Sequence, residues 1–328
     1  MKVIYKIGIG FIVCGIVAAG VGTFGILKND AETIKKSQEK YDKIHELEDF
    51  SNEYDAKDIE NIEILSNSTD ISIYKSENDK IAIKATDIYK KCFSVSTQNK
   101  TFSVDLSDEE KTLDTFMNFS FGFLGSKKDS KIEIYLPEKY YNSIYIEENY
   151  GDVKIENTDC GKISIDNDSG DTVLKNVEAK NNLKINSDYS DVELNSVKSK
   201  NLTAISADCG DIKINNSNLS NLDVDSNYGD IKVDNSVISE SLNFISNAGD
   251  TEIYNTQLNC NSKFKANYGD IKLNINGNKE NYTTQLDVNL GDTNIDSENT
   301  KYYNGKNSKY ILNASADCGD IEVIFSID

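Results

Sequence analysis

The aspartates of a repeated Gly-Asp pair are the residues of this 328-residue chain whose spacing best suits chemistry. Successive aspartates of the repeat lie 19, 20, 20, 19, 20, 20, 22 and 28 residues apart. The pairs are Gly151-Asp152, Gly170-Asp171, Ser190-Asp191, Gly210-Asp211, Gly229-Asp230, Gly249-Asp250, Gly269-Asp270, Gly291-Asp292 and Gly319-Asp320. Recurrent carboxylates suit two kinds of site, a ladder of calcium ligands or the paired acids of a sugar-cleaving enzyme.

Both kinds of site fit the repeat poorly. Calcium takes six to eight oxygen ligands, whereas each repeat offers one or two carboxylates. A glycosidase needs one carboxyl group with a raised pKa, whereas these aspartates recur identically. Glycine allows a positive φ, and the Asn or Asp two positions before each glycine tolerates left-handed backbone. We therefore expect structural turns in preference to a calcium ladder, and no catalytic, metal or cofactor site.

Apolar residues at fixed distances from the glycine predict two short strands in each repeat. They lie two and four positions after it and five before it, as Val153, Ile155 and Ile146 do in the first repeat. A repeat of this length cannot bury its apolar face alone, so repeats stack at the strand spacing of about 4.8 Å around one core. The predicted fold class is all-β, a parallel β-solenoid (β-helix), with the repeat occupying residues 149–328.

A second column of polar residues lies six positions after the glycine. Its members are Asn157, Asn176, Ser196, Asn216, Asn235 and Asn255. Stacked amides hydrogen-bond from rung to rung, as in other cross-strand ladders. This column is predicted to be architecture and not a site.

Residues 58–148 alternate apolar and polar side chains without the regular period, and they are predicted to form an irregular β lead-in. An insertion at 116–124 alternates aromatic and small residues around Phe119, Phe121 and Phe123. An uncovered terminal rung pairs with other chains, so we expect these aromatics to cap the solenoid. A partner-binding or membrane-touching strand and a mobile loop are the alternatives.

The cysteines are predicted to be largely unpaired. Cys209 and Cys318 share one column but lie five rungs apart in sequence order, roughly 24 Å, whereas bridged Cα atoms lie within about 7 Å. Cys160 shares its column with Ala179 and Ser199, which indicates a small buried filler.

The N-terminus carries a candidate membrane anchor. Residues 7–27 are uncharged and mostly apolar, and a helix of that length spans about 31 Å, close to the thickness of a bilayer core. Lys2 and Lys6 predict a cytoplasmic tail at 1–6 and an extracytoplasmic remainder. A cleaved signal peptide ending near Val17-Ala18-Ala19 is the alternative. Residues 28–57 are predicted to be a stalk helix or linker.

The amino-acid composition limits the classes of partner and of site that the chain is expected to have. The chain has 55 acidic and 35 basic residues, a net charge of −20, no arginine and a single histidine, His45. This charge argues against a nucleic-acid binder, and one histidine excludes sites that need two. Self-association is left open.

The segment Lys131-Ile-Glu-Ile-Tyr-Leu-Pro137 followed by Asn142–Ile155 with the first Gly-Asp pair resembles the bacterial putative-adhesin family of domains of unknown function. That family of β-strand-repeat proteins includes LiaG-like membrane proteins, and the resemblance covers about residues 59–328. Ser190, the stretched last repeats and the insertion at 116–124 depart from its pattern. The family brings no catalytic residues, and it implies a cell-envelope location with an adhesive or envelope-stress role.

These observations favour a non-enzymatic protein of the cell membrane, single-pass through residues 7–27, with an extracytoplasmic domain that binds an unknown protein or glycan surface. An envelope-stress accessory protein that binds another membrane protein is the first alternative. A polysaccharide-active enzyme is the second.

Overall fold

The computed structural model describes residues 47–107 and 130–326. The predicted cytoplasmic tail, the membrane helix at 7–27, most of the stalk and the aromatic insertion at 116–124 lie outside these residues. Contacts divide the chain into two units, residues 1–47 with 89–91 and residues 48–88 with 92–328. Of the smaller unit, Leu47 and residues 89–91 are described, and the repeat belongs to the larger unit. A search of the described ranges finds no helix with the length and apolar character needed to cross a membrane.

The described ranges are almost entirely β-strand. Ahead of the regular repeat lie β1 (Leu47–Asp55), β2 (Asn61–Ser66), β3 (Asp70–Lys75), β4 (Lys80–Tyr89), β5 (Ser94–Gln98), β6 (Thr101–Asp105) and β7 (Lys131–Leu136). The repeat begins with β8 (Tyr141–Glu148), β9 (Val153–Glu156), β10 (Asp159–Asn167), β11 (Thr172–Lys175), β12 (Glu178–Ala179), β13 (Leu183–Ser187), β14 (Val192–Asn195), β15 (Lys198–Cys209), β16 (Ile212–Asn215), β17 (Asn218–Tyr228) and β18 (Ile231–Asp234). It continues with β19 (Val237–Ala248), β20 (Thr251–Leu258), β21 (Asn261–Tyr268), β22 (Ile271–Asn276), a 3-10 turn (Lys279–Asn281), β23 (Tyr282–Leu290), β24 (Thr293–Ile295), β25 (Glu298–Asn299), β26 (Tyr302–Asn304), β27 (Tyr310–Cys318) and β28 (Ile321–Ser326).

Each repeat forms one rung with a strand on either side of the Gly-Asp pair. We call the short segment at that pair the corner; the first sheet holds the strands before the corners and the second sheet the strands after them. Neighbouring rungs pair in parallel in both sheets, as β15 does with β17 and β16 with β18. The all-β prediction is confirmed, and the parallel stacking of rungs is the arrangement expected of a β-solenoid.

The three columns that the sequence predicted lie in the core, together with further buried columns such as that of Ile144, Ile163 and Leu183. In the first repeat Ile146, Val153 and Ile155 are fully buried, and they align with Ile165, Thr172 and Leu174 of the next rung. Thr172, Thr251 and Thr293 are buried among the aliphatic members. Burial of a Leu- or Ile-sized side chain contributes about 1.5–3 kcal/mol, so the stacked columns supply the main stabilisation.

The order of rungs in the stack differs from their order in the chain at both ends. The rung formed by β2 and β3 has two neighbours in the stack. On one side lies the rung of β6 and β7, and on the other side lies the rung of β8 and β9. At the other end the last rung, β27 and β28, lies between β21–β22 and β23–β24. The irregular lead-in therefore supplies two rungs that continue the same core.

Antiparallel strands cover the outermost rungs. At one end β5 pairs with β6 and β4 with β7. At the other end β26 pairs with β23 and β25 with β24. An open strand edge is a template for pairing with another chain, and these strands occupy it along nearly all of β6 and β7 and along part of β23 and β24. Phe119, Phe121 and Phe123, predicted to provide a cap, lie outside the described residues.

Residues 47–55 are strand β1, so the prediction of a stalk helix continuing to residue 57 is wrong for this stretch. Phe50 and Tyr54 are partly buried at an even spacing, which fits a strand. Their rings pack edge-to-face on Phe93 at 5.0 Å and on Phe102 at 5.3 Å between centroids.

Most corners carry glycine because consecutive corners approach one another closely, although Ser190 occupies this position in one rung. A Cβ built on Gly229 would lie 2.1 Å from the carbonyl oxygen of Gly210, and Gly229 has a φ of +144°. At Gly170 the contact is equally close, 2.2 Å to the Gly151 carbonyl oxygen, although its φ is not in the left-handed region. The predicted positive φ is thus confirmed at Gly229 and wrong at Gly170, where close approach alone requires glycine.

The two asparagine-rich columns have exchanged their predicted roles. The column six after the glycine has left-handed backbone, with φ between 46° and 58° from Asn157 to Asn255. Within the described residues its amide ladder is limited to one bond, from Asn176 Nδ2 to Asn157 Oδ1 at 3.1 Å. The residues two before the glycine form rung-to-rung bonds instead, such as Asn247 Nδ2 to Asn227 Oδ1 at 3.2 Å.

Replacing Gly229 by Val should lower the melting temperature by several degrees. The substitution forces a β-branched residue to positive φ, a strain of about 1–3 kcal/mol, and drives its Cβ into the Gly210 carbonyl oxygen. Asp225→Val, at an exposed position of β17, the strand that precedes Gly229, is the matched control and should change the melting temperature little. Equal melting temperatures for the two variants would contradict the proposed corner geometry.

Candidate functional site

The aspartates of the corners form one continuous column, which we call the aspartate column. In each rung the backbone N–H of the corner aspartate donates to Oδ1 of the preceding aspartate in the stack, at 2.8–3.1 Å. In stack order the column is Asp70, Asp152, Asp171, Asp191, Asp211, Asp230, Asp250, Asp270, Asp320 and Asp292. A hydrogen bond from N–H to a carboxylate is charge-assisted, so each aspartate fastens its rung to the next.

Lysines approach part of this column. Lys213 Nζ lies 3.2 Å from Asp191 and 3.5 Å from Asp211, and Lys272 Nζ lies 3.2 Å from Asp270. The backbone N–H of Asp320, and then Lys272, hold the pKa of Asp270 below its usual value. In the described ranges no lysine forms an ion pair with the other seven aspartates of the column. The edge is therefore strongly acidic.

The column has the features expected of turn chemistry. Except in Asp292, the last of the stack, one oxygen of each carboxylate accepts from a backbone N–H, and the second oxygen of Asp191, Asp211 and Asp270 lies next to a lysine. Among residues 47–107 and 130–326, no group of three or more His, Cys, Asp or Glu side chains could hold a metal ion. The structure brings every predicted Gly-Asp pair to this one edge.

Beside the aspartates runs a second outward column, made of the residue that precedes each corner glycine. In stack order it is Tyr150, Ser169, Tyr189, Cys209, Tyr228, Ala248, Tyr268, Cys318 and Leu290. We call its four aromatic members, Tyr150, Tyr189, Tyr228 and Tyr268, the tyrosine column. Their exposed fractions lie between 63% and 69%, and no described side chain hydrogen-bonds to their hydroxyls. Tyrosine therefore alternates with a small residue along the edge.

Sequence reasoning identified the Gly-Asp pairs but missed this alternation. The signal was present, because Tyr-Gly-Asp and small-Gly-Asp follow one another along the chain from Tyr150 to Tyr268, with Ser190 in place of glycine in one rung. It also missed Asp70, which joins the aspartate column although Thr69 and not glycine precedes it.

Glu148 is the one strongly perturbed carboxyl group of the described residues. It is fully buried beside the first corner, and its Oε1 accepts from the backbone N–H groups of Thr69, Tyr150 and Gly151 at 3.0–3.2 Å. Burial raises its pKa to about 7. Glu148 joins two rungs, β2–β3 and β8–β9, that are neighbours in the stack but distant in the chain. It is buried away from solvent, so it is a structural link and not a group that a substrate could reach.

Cys160, Cys209, Cys260 and Cys318 are free thiols, as the sequence predicted. Cys160 is a buried filler aligned with Ala179. Cys209 and Cys318 lie four rung steps apart in the stack and not five, because the last rung is inserted next to Tyr268. Cys14 lies outside the described residues.

Calcium should have little effect on stability. One carboxylate oxygen per corner is already committed, so a chelator or added calcium chloride should move the melting temperature by no more than about 2 °C, whereas a ligand at one hundred times its dissociation constant adds about 2.7 kcal/mol. Sodium chloride at matched ionic strength is the control. A larger shift specific to calcium would make the column a metal site.

Glu148→Gln should remove part of the pH dependence of stability. An acid whose pKa is raised on folding stabilises the fold below its unfolded pKa, and this contribution is lost as the pH rises through about 7. Each pKa unit is worth about 1.4 kcal/mol, so the variant, which keeps an acceptor for the three N–H groups, should be more stable than the wild type at pH 8 by roughly 1–3 kcal/mol. Melts from pH 5 to pH 8 measure this difference, and parallel curves for the two proteins would contradict it.

Solved structures with similar chain traces share little sequence with this protein. A putative adhesin from Bacteroides fragilis is 16% identical, with 84% of this chain and 96% of that chain covered and a TM-score of 0.47. A putative cell adhesion protein from Clostridium sporogenes is 12% identical, with 86% of this chain and 100% of that chain covered and a TM-score of 0.20. A putative adhesin from Parabacteroides distasonis is 11% identical, with 70% of this chain and 98% of that chain covered and a TM-score of 0.33. At TM-scores below 0.5 these similarities support no statement about this chain.

A search of curated proteins finds no match to the chain. A family model, described as Toastrack DUF4097, matches residues 59–254. The matched range contains the rungs from β2 to β20 except for the final residues of β20, which is more than half of the chain. The expected membership of a β-repeat family of unknown function is thereby confirmed, whereas kinship with LiaG-like proteins stays a prediction. The chain belongs to the Toastrack DUF4097 family.

Proposed function

We propose that the protein is a non-enzymatic, adhesin-like interaction module of the cell envelope. In this proposal residues 7–27 anchor it in the membrane and the solenoid lies outside. The observation that carries the proposal is the corner edge, where every rung presents the same kind of outward group at the same position. A catalytic centre requires a local pair of carboxyl groups that differ in environment, whereas a repeated edge suits contact with an extended partner.

The buried glutamate supports the same proposal. Glu148 is the carboxyl group whose pKa is displaced most towards neutrality among the described residues, and it is engaged by three backbone N–H groups. A general acid must touch the substrate, and this side chain has no exposed surface. The polysaccharide-active alternative therefore cannot use Glu148 as its general acid.

The topology is tested by adding protease to cells stripped of their wall. The proposal expects digestion of the solenoid in intact, wall-stripped cells, because positively charged Lys2 and Lys6 flank the cytoplasmic side of the predicted anchor. A cytoplasmic protein serves as the control for lysis. Digestion only after lysis would contradict the proposal.

A membrane-impermeant crosslinker applied to the same cells, with and without their wall, identifies the kind of partner. An adhesin-like module should crosslink to wall or external components, and these adducts should disappear when the wall is removed. Adducts to a membrane protein that persist in stripped cells would instead identify an envelope-stress accessory protein.

A further inference from the structure

The tyrosine column has the spacing of a track for an extended ligand. Tyr228 aligns with Ala248 and Ala248 with Tyr268, so two rung steps separate successive tyrosines. At the strand spacing of about 4.8 Å, this puts one tyrosine every 9.6 Å or so, with a gap over each small residue. From Tyr150 to Tyr268 the track runs over six rung steps, about 29 Å.

The spacing of the tyrosines can be compared with the distance at which each regular polypeptide conformation repeats a face. A polyproline II helix repeats a face every three residues, about 9.3 Å, which differs from the tyrosine spacing by about 0.3 Å. A strand repeats its face after two residues, about 6.6 Å, and an α-helix advances about 10.8 Å in two turns. Over the three intervals of the track the mismatch reaches only about 1 Å for polyproline II, against more than 3 Å for a helix.

The negative charge beside the tyrosine column indicates which classes of partner can bind there. The tyrosines are flanked by the aspartate column on one side and by the Asn/Asp positions on the other, where Asp168, Asp188 and Asp208 lie. A nucleic acid or an anionic lipid surface is repelled by this edge, and so is a second copy of a chain with net charge −20. Electrostatic complementarity favours a partner that carries basic side chains.

We propose that the tyrosine column is a docking track for a proline-rich, lysine- or arginine-bearing segment in the polyproline II conformation. Aromatic-lined grooves bind such segments because the preformed helix loses little conformational entropy. The gaps over Ser169, Cys209 and Ala248 accept proline rings between the tyrosines, and the aspartate column pairs with the basic side chains. This inference rests on the proposed interaction role and names the chemistry of its partner.

The test uses the full-length chain in non-ionic detergent and a peptide of four Pro-Pro-Lys repeats, which spans about 37 Å. The wild type should bind the peptide, and binding should weaken as salt rises. Changing Tyr150, Tyr189, Tyr228 and Tyr268 together to Ser should weaken binding at least about tenfold. These side chains are exposed, so the melting temperature should hold. Tyr302→Ser, which removes an exposed tyrosine elsewhere, is the matched control and should bind as the wild type does.

Two further comparisons separate the track from simple charge attraction. A peptide of four Gly-Gly-Lys repeats has the same charge without the preformed helix and should bind at least about tenfold more weakly. The double variant Asp230→Asn and Asp250→Asn keeps both Oδ1 acceptors for the backbone and should weaken binding of the proline peptide several-fold.

Equal binding of the glycine and proline peptides, or undiminished binding by the four-tyrosine variant, would overturn the proposal. So would the absence of peptide binding to the wild type. A neutral β-1,4-linked hexasaccharide is tested in parallel: if it binds through the tyrosines and the peptide does not, the partner is a glycan. In that outcome the proposed function stands and this inference fails.

Discussion

The close approach of consecutive corners is the constraint on which the rest of the structure depends. Glycine is needed there because a side chain at Gly229 would overlap the Gly210 carbonyl oxygen. The same approach places the N–H of each corner aspartate within hydrogen-bonding distance of the previous carboxylate. It also fixes the outward direction of the residue before the glycine. One backbone contact, repeated from rung to rung, therefore determines both the cohesion of the stack and the composition of its exposed edge.

This arrangement explains how an acidic chain with a modest apolar content keeps a stable fold. Each rung buries only a few side chains, such as Ile212 and Ile214, but in-register stacking makes them parts of continuous columns. The carboxylates that would repel one another along the edge each accept a hydrogen bond from a backbone N–H, except in Asp292 at the end of the stack. Antiparallel strands pair with the outermost parallel strands at both ends, along nearly all of β6 and β7 and along part of β23 and β24. The outward surface of the corners is the part of the structure that we propose to contact a partner.

The regular part of the fold could be predicted from the sequence because its cause is local. The positions of Val153, Ile155 and Ile146 relative to Gly151 follow directly from strand alternation, and all three are buried. The exchange of rung order at both ends could not be predicted, because periodicity does not reveal which rungs become neighbours in space. In the sequence, this exchange is reflected at the C-terminal end in the 28-residue spacing between Asp292 and Asp320. The left-handed backbone at Asn157 was also assigned to the wrong column, since asparagine suits both a ladder and a positive φ.

Hydrogen–deuterium exchange of the corner amides tests the central claim most directly. If each corner N–H is held by the carboxylate of the neighbouring rung, the N–H groups of Asp211, Asp230 and Asp250 should exchange about as slowly as those of the flanking strands, despite lying at an exposed edge. The amides of Glu138 and Lys139, which lie in the loop between β7 and β8 and donate no backbone hydrogen bond among the described residues, give the fast reference. Corner amides that exchange at the rate of this loop would contradict the account.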